Sequence, residues 1–235
     1  FLAQWCLQYA QEQILKIAQQ NTQRWSEIKS KLNWDESEIQ QWETIASNIY
    51  LPKHPTQDLF LQQDGFLDKQ LDDVSILNPE ERPINQHWSW DRILRSPYIK
   101  QADVLQGFYF FEDQFDLETL KRHFDFYEPL TVHESSLSPC VHSILASRLD
   151  KMEEAYAFYL RTSRLDLDDY NKEVEEGLHI TSMAGTWMSI VEGFGGVRIV
   201  DNQLHLDPKL PKEWTYYSFQ INFRGTQVKV QVHQE

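Results

Sequence analysis

Two short runs set hydroxyl and imidazole side chains side by side. One is His133-Glu134-Ser135-Ser136-Leu137-Ser138, and the other is His179-Ile180-Thr181-Ser182-Met183-Ala184-Gly185-Thr186-Trp187. Each leads into a helix-like pattern. At a helix start the first backbone N–H groups lack partners and the helix dipole is positive. Hydroxyls placed there complete an anion site, and a neighbouring His adds charge or a hydrogen bond. A third polar stretch, Trp88-Ser89-Trp90-Asp91-Arg92, precedes Lys100-Gln101-Ala102-Asp103. The plain alternative is that these Ser and Thr residues are ordinary N-caps, and the residues alone leave both readings open. Glu134 suits a sugar hydroxyl, or orientation of a His. Ser135, His179 and the many acids permit a Ser-His-acid hydrolase, but no Gly-x-Ser-x-Gly elbow supports one. His133, His142 and His179 have no metal-ligand spacing. His142 reads as a satisfied core residue. Gly193-x-Gly195-Gly196 closes a helix, so it is no nucleotide loop.

The elements that position these runs are mainly helical. Apolar residues recur at three and four over residues 1–20. Asp35, with Glu38 three residues on, predicts a capped helix over 35–49. Residues 50–97 carry five prolines, and a stretch of that length in a compact domain must contain short elements or an ordered loop. Ser96-Pro97 predicts a helix start running through Lys100 and Gln101 to Phe111, and Ser138-Pro139 predicts another. Further helices are expected over 116–127, 151–165 and 182–194, the last stopped by Gly195-Gly196. The period then changes to two. Residues 197–206 around Asp201-Asn202, and 219–232 around Arg224-Gly225, predict hairpins. The expected division is a helical domain over 1–195 and a small antiparallel β domain over 196–235.

Composition narrows the partners. Acidic residues outnumber basic ones 36 to 22, and a net charge of −14 argues against nucleic acid or an anionic membrane. A bound anion must therefore rely on local donors. Aromatic residues make up 13% of the chain, which suits stacking on sugar rings and equally suits an aromatic core. Cys6 and Cys140 give neither a disulfide framework nor a metal motif, and a reducing compartment is expected. No signal or membrane-spanning run is visible.

Several long runs in order carry a resemblance. They are Gln62-Gln63-Asp64-Gly65-Phe66-Leu67-Asp68, Trp88-Ser89-Trp90-Asp91-Arg92-Ile93-Leu94, Ile99-Lys100-Gln101-Ala102-Asp103-Val104, residues 127–138 and residues 179–187. Together they resemble glycoside hydrolase family 65, nearest to its maltose-cleaving phosphorylases. The resemblance implies the last helices of an (α/α)6 barrel followed by the C-terminal β domain. It also implies an inverting reaction, in which inorganic phosphate attacks the anomeric carbon while a carboxylic acid protonates the leaving oxygen. Maltose and phosphate would give β-glucose 1-phosphate and glucose. Phosphate replaces the activated water of inverting hydrolases. By motif, Ser135, Ser136, His179, Thr181 and Ser182 are expected on phosphate. Lys100 and Gln101 are expected on the transferred glucose or on the phosphate beside it, with His133 and Glu134 shaping the same wall. Trp88 and Asp91 are less firmly tied to substrate.

The same resemblance places the general-acid Glu before the segment matching Gln4-Trp5-Cys6-Leu7. No catalytic residue is then expected within this chain, which alone would be inactive and prone to aggregate through uncovered helix faces. No cofactor or metal is implied beyond phosphate as co-substrate. The intact enzyme is expected to be a cytoplasmic homodimer. The alternatives are sister phosphorylases for trehalose, kojibiose or nigerose, a family hydrolase, and a non-catalytic carbohydrate-binding or assembly subunit.

Overall fold

A computed structural model describes residues 1–234. It divides into two compact units, residues 1–55 and 56–235. The first unit is three helices, α1 (Leu2–Gln20), α2 (Thr22–Leu32) and α3 (Ser37–Asn48). The Asp35 carboxylate accepts from the Ser37 N–H and Glu38 accepts from the Asp35 N–H, but the N-cap of α3 is Glu36, one residue later than expected, and it makes no side-chain cap bond. Gln4 and Gln11 of α1 donate to the carbonyls of Ala46 and Ile39 on α3. Trp25, Trp34 and Trp42 meet edge to face, tying α2 to α3.

In the second unit the proline-rich stretch is ordered as single turns and two short helices, α4 (Ile84–His87) and α5 (Trp90–Arg95). The expected helix start at Ser96-Pro97 is corrected here. Ser96 instead closes α5, its hydroxyl donating to the Ile93 carbonyl. Ile99 forms a parallel bridge with Thr131, donating to the Leu130 carbonyl and accepting from the Val132 N–H. That bridge holds Ile99 out of any helix, and α6 begins only at Asp103 (Asp103–Phe110). Next come α7 (Leu117–Tyr127), capped by Asp116 as its spacing suggests, then α8 (Ser138–Arg148), α9 (Met152–Ser163) and α10 (Ile180–Met188). A π-helical turn, Ser189–Phe194, extends α10 to the two glycines.

Helix α8 is the centre of this unit, because every residue from Ser138 to Ser147 is buried. Two of its serines are tethered to neighbouring elements. Ser143 donates to the Ala155 carbonyl on α9, and Ser147 donates to the Gly193 carbonyl. Gly185 lets α10 cross close by, since a Cβ there would lie 2.7 Å from Cys140 Cβ. Phe108, Leu120, Phe124, Tyr127, Leu145 and Phe194 fill the core around α8.

The strands form two antiparallel hairpins. The first joins β1 (Arg198–Val200) to β2 (Gln203–His205), and the second joins β3 (Tyr216–Phe223) to β4 (Thr226–His233). Asp201-Asn202 and Arg224-Gly225 all have positive φ, which two-residue hairpin turns of this hand require. Tyr217 anchors β3 to the helices by donating to the Phe194 carbonyl, and Trp214 packs on Tyr156, Tyr159 and Phe194. No helix among the described residues is long and apolar enough to cross a membrane.

Candidate anion site at two helix starts

The Ile99–Thr131 bridge sets two extended segments side by side. The chain beyond Ile99 reaches Gln101 just as the chain beyond Thr131 reaches Ser135. The Ser135 hydroxyl donates to Gln101 Oε1 at 3.0 Å and accepts from the Leu137 N–H, capping the turn that enters α8. One residue on, the Ser136 and Thr181 hydroxyls share a hydrogen bond of 2.7 Å across 45 positions. Thus the start of α8 meets the start of α10, with Gln101 beside them. Thr181 is the second residue of α10, inside the turn where the dipole favours negative charge. Thr181 and Gln101 open onto a cleft of about 470 Å³, whose other walls include Gln106, Tyr109, Leu137 and Met188. Tyr109 donates to the Glu192 carboxylate at 2.6 Å. Burial and that carboxylate push its phenol well above the ordinary range, so it stays a neutral donor.

His179 is the residue before α10, and it is held on two sides. The Asp166 carboxylate accepts from its backbone N–H at 2.9 Å and lies 2.6 Å from Nδ1, while Glu173 lies 3.7 Å from Nε2. The His179 backbone N–H, followed by its ring, holds Asp166 below the usual carboxylate range. The ring orientation is therefore fixed, and its far nitrogen already faces a carboxylate. Ser182 departs from expectation. Its hydroxyl is buried without a partner and only its backbone takes part, the N–H donating to the His179 carbonyl. Lys100 is exposed, next to Gln101.

The wall expected from His133 and Glu134 is corrected. His133 has φ +54° and turns its ring inward. Nδ1 lies 2.9 Å from the Ser138 hydroxyl, and the ring packs edge-on against His142 and beside Phe158. Burial, then the charges of Arg161 and Arg82, hold its pKa down to about 3, so it carries no charge to offer an anion. The Glu134 carboxylate is likewise buried. It accepts from Arg82 Nε at 2.9 Å and from the Ile84 N–H at 2.7 Å, which leaves it a tether for α4. Ser138 is the first residue of α8, and its hydroxyl serves His133. His142 is a core residue but not a satisfied one, because neither ring nitrogen has a partner. Trp88 lies under the Arg92 guanidinium at 3.5 Å, and Asp91 pairs with Arg95 one turn away, so both serve the local structure of α5. Arg82, Arg161, Asp166 and Glu173 went unread in the sequence. Each acts on a partner brought to it by the fold, and no motif marks them.

Comparisons with known proteins show the family. Residues 1–188 match the glycosyl hydrolase family 65 central catalytic domain, and residues 197–235 match the family 65 C-terminal domain. Maltose phosphorylase of Bacillus subtilis is 49% identical over 234 residues, covering 100% of this chain and 30% of that protein. An α,α-trehalose phosphorylase of Thermoanaerobacter brockii is 39% identical over 235 residues, again 100% of this chain and 30% of the relative. A solved structure named for kojibiose phosphorylase, from the human microbiome, superposes with a TM-score of 0.89 at 38% identity. It covers 98% of this chain, which covers 31% of it. The chain thus spans about three tenths of the length of the relatives it matches.

Proposed function

The chain belongs to glycosyl hydrolase family 65, the family of the (α/α)6 catalytic domain, and from that premise we propose that it supplies the phosphate-binding half of a disaccharide phosphorylase site. The observation that carries this reading is the Ser136–Thr181 contact, which joins two helix starts on one cleft. Phosphate seated there accepts from the two hydroxyls and from the Thr181 N–H in the first turn of α10, with His179 at its edge. Gln101, fixed by Ser135, and Lys100 then face the sugar being transferred. These donors provide locally what a net charge of −14 opposes globally.

Phosphate attacks the anomeric carbon on the face opposite the leaving oxygen, so the configuration inverts. It is already a nucleophile, and no second carboxylate is needed to activate water. The site's work is to hold the anion in line, which supplies proximity, while a carboxylic acid elsewhere in the polypeptide protonates the departing sugar. We take maltose as the substrate, giving β-glucose 1-phosphate and glucose. The Bacillus subtilis relative supports that choice, at 49% identity against 39% for the trehalose-named one. A cytoplasmic homodimer using no cofactor completes the reading.

The test uses the longest natural polypeptide containing this chain. Incubated with maltose and phosphate, it should release glucose and β-glucose 1-phosphate in equal amounts, with the anomer read by NMR. Trehalose, kojibiose and nigerose are run beside it. Cleavage that proceeds equally well without phosphate would defeat the phosphorylase reading. Faster turnover of a sister disaccharide would defeat only the maltose assignment.

A further inference from the structure

Behind the 133–138 segment lies a second, smaller cavity of about 240 Å³. Its polar lining is Arg82, Glu134, Arg161, Tyr170, Asn171 and Lys172. Three of these are cationic and one is anionic. The single carboxylate is already engaged by Arg82 and the Ile84 N–H. Arg161 donates one guanidinium N–H to the His133 carbonyl, but its Nε is buried without a partner. Burial first, and then the nearby Arg82 charge, depress its pKa, although a guanidinium keeps its proton in a protein. Asn171 is only 3% exposed, and neither its amide nitrogen nor its amide oxygen has a partner. Buried polar groups of this kind are rarely left unpaired in a native interior. Water would serve the amide, but it would leave the excess positive charge unanswered.

We propose that this cavity is a second oxyanion site, one that takes a phosphoryl group, either as inorganic phosphate or as a small phosphate monoester. The donor set is cationic, which selects an anion. Asn171 also presents a carbonyl, which needs a hydrogen-bond donor on the ligand, and the P–OH of hydrogen phosphate supplies one. The volume lies below the ~300–1,000 Å³ of sites that enclose larger ligands, so a disaccharide is excluded. Tyr170, Asn171 and Lys172 lie between Asp166 and Glu173, the two residues that grip His179. An anion here would order the same loop that orients His179. The inference rests on these side chains and not on the first phosphate site, so either stands or falls alone.

Isothermal titration of the longest natural polypeptide with inorganic phosphate tests it. Ser136→Ala with Thr181→Ala weakens the first site and should leave one binding event. Adding Asn171→Leu should weaken that event about tenfold or more, the loss expected for a hydrogen bond to a charged partner. Lys172→Met, at an exposed position, should weaken it severalfold with no change in Tm, which keeps the test decisive if the buried Asn171 variant misfolds. Methyl phosphate as competitor separates the two sources, since displacement marks a monoester and its failure marks the free ion. A tungstate-soaked crystal should show an anomalous peak in hydrogen-bond reach of Arg161 Nε and the Asn171 amide. The proposal is overturned if no binding remains in the Ser136/Thr181 double variant, if neither Asn171→Leu nor Lys172→Met alters what remains, or if the peak is absent.

Discussion

Two faces of one short segment, residues 133–138, meet opposite fates. Ser135 and Ser136 are bonded to Gln101 and Thr181, which line an accessible cleft. His133, Glu134 and Ser138 face inward, committed to α8, α4 and one another. All five look equally suited to chemistry in the sequence. Burial separates them. On the inner face each polar atom must be neutral or paired, because solvent no longer compensates it. On the outer face hydroxyls remain free to exchange partners, as ligand binding requires. Polar residue type therefore marks the segment, and only the direction of each side chain decides between support and site.

The largest effect expected from this contrast is an acid-sensitive inner face. His133 is held down to about 3, and burial holds His142 well below its ordinary value. Both are neutral in the fold, while in the unfolded chain they take protons near pH 6.5. Their contribution is thus fully present above pH 6.5 and is lost as pH falls from there toward 3. His133 alone should remove roughly 3 kcal/mol by pH 4.5, and His142 adds to the loss in the same direction. Urea unfolding at pH 7.5 and 4.5 reads this directly, and His142→Phe should reduce the loss. An unchanged loss in that variant would show that the inner face does not exclude protons. Next in size is Arg82→Met, which strands the buried Glu134 carboxylate with one backbone donor. A cost of about 3 kcal/mol is expected. A raised KM with stability intact would instead move Glu134 to the outer face.

What the residues disclosed in advance follows the same division. Helices α7 and α9, and both hairpins, were legible because their apolar periods and turn residues are local. The meeting of the two hydroxyl runs was also legible, since a shared anion demands it, and Ser136 does reach Thr181. The start of α6 was misread. Ser96-Pro97 has the form of a helix cap, but the bridge from Ile99 to Thr131 overrides it from 32 positions away. The fold of 56–83 was hidden for the same reason. Its backbone is held by distant side chains, as where Tyr127 donates to the Phe60 carbonyl. Glu134 was misassigned because its partner, Arg82, lies 52 positions back and belongs to no motif.

The outer face has its own measurement. Replacing Ser136 and Thr181 together by Ala should raise the KM for phosphate about tenfold or more, since hydrogen bonds to a charged ligand contribute about 1.5–3 kcal/mol. Stability should fall by under about 1 kcal/mol, because the pair is solvent-exposed and bonds mainly to each other. The KM for disaccharide should move much less. Equal rises in both KM values would mean that the pair shapes the cleft as a whole instead of holding phosphate.

The smallest effect concerns His179, which stands between the two faces. Asp166 holds its Nδ1 side, and Glu173 approaches its Nε2 side at 3.7 Å, a distance at the edge of an ion pair. A phosphate at the start of α10 must use that same Nε2 if His179 is to help bind it, so ligand and Glu173 compete. Partly exposed pairs of this kind contribute little, about 0.2–1 kcal/mol. Glu173→Gln removes the competing charge while keeping the side chain's shape. The KM for phosphate should therefore fall about two- to threefold, with Tm nearly unchanged, in steady-state assays across a phosphate series. Asp166→Asn should act in the opposite direction, because it frees the ring to turn and removes the carboxylate that favours a proton on Nδ1. If Glu173→Gln raises the KM instead, Glu173 is a support for His179 and not a rival of phosphate, and His179 then belongs with His133 on the inner side of the division.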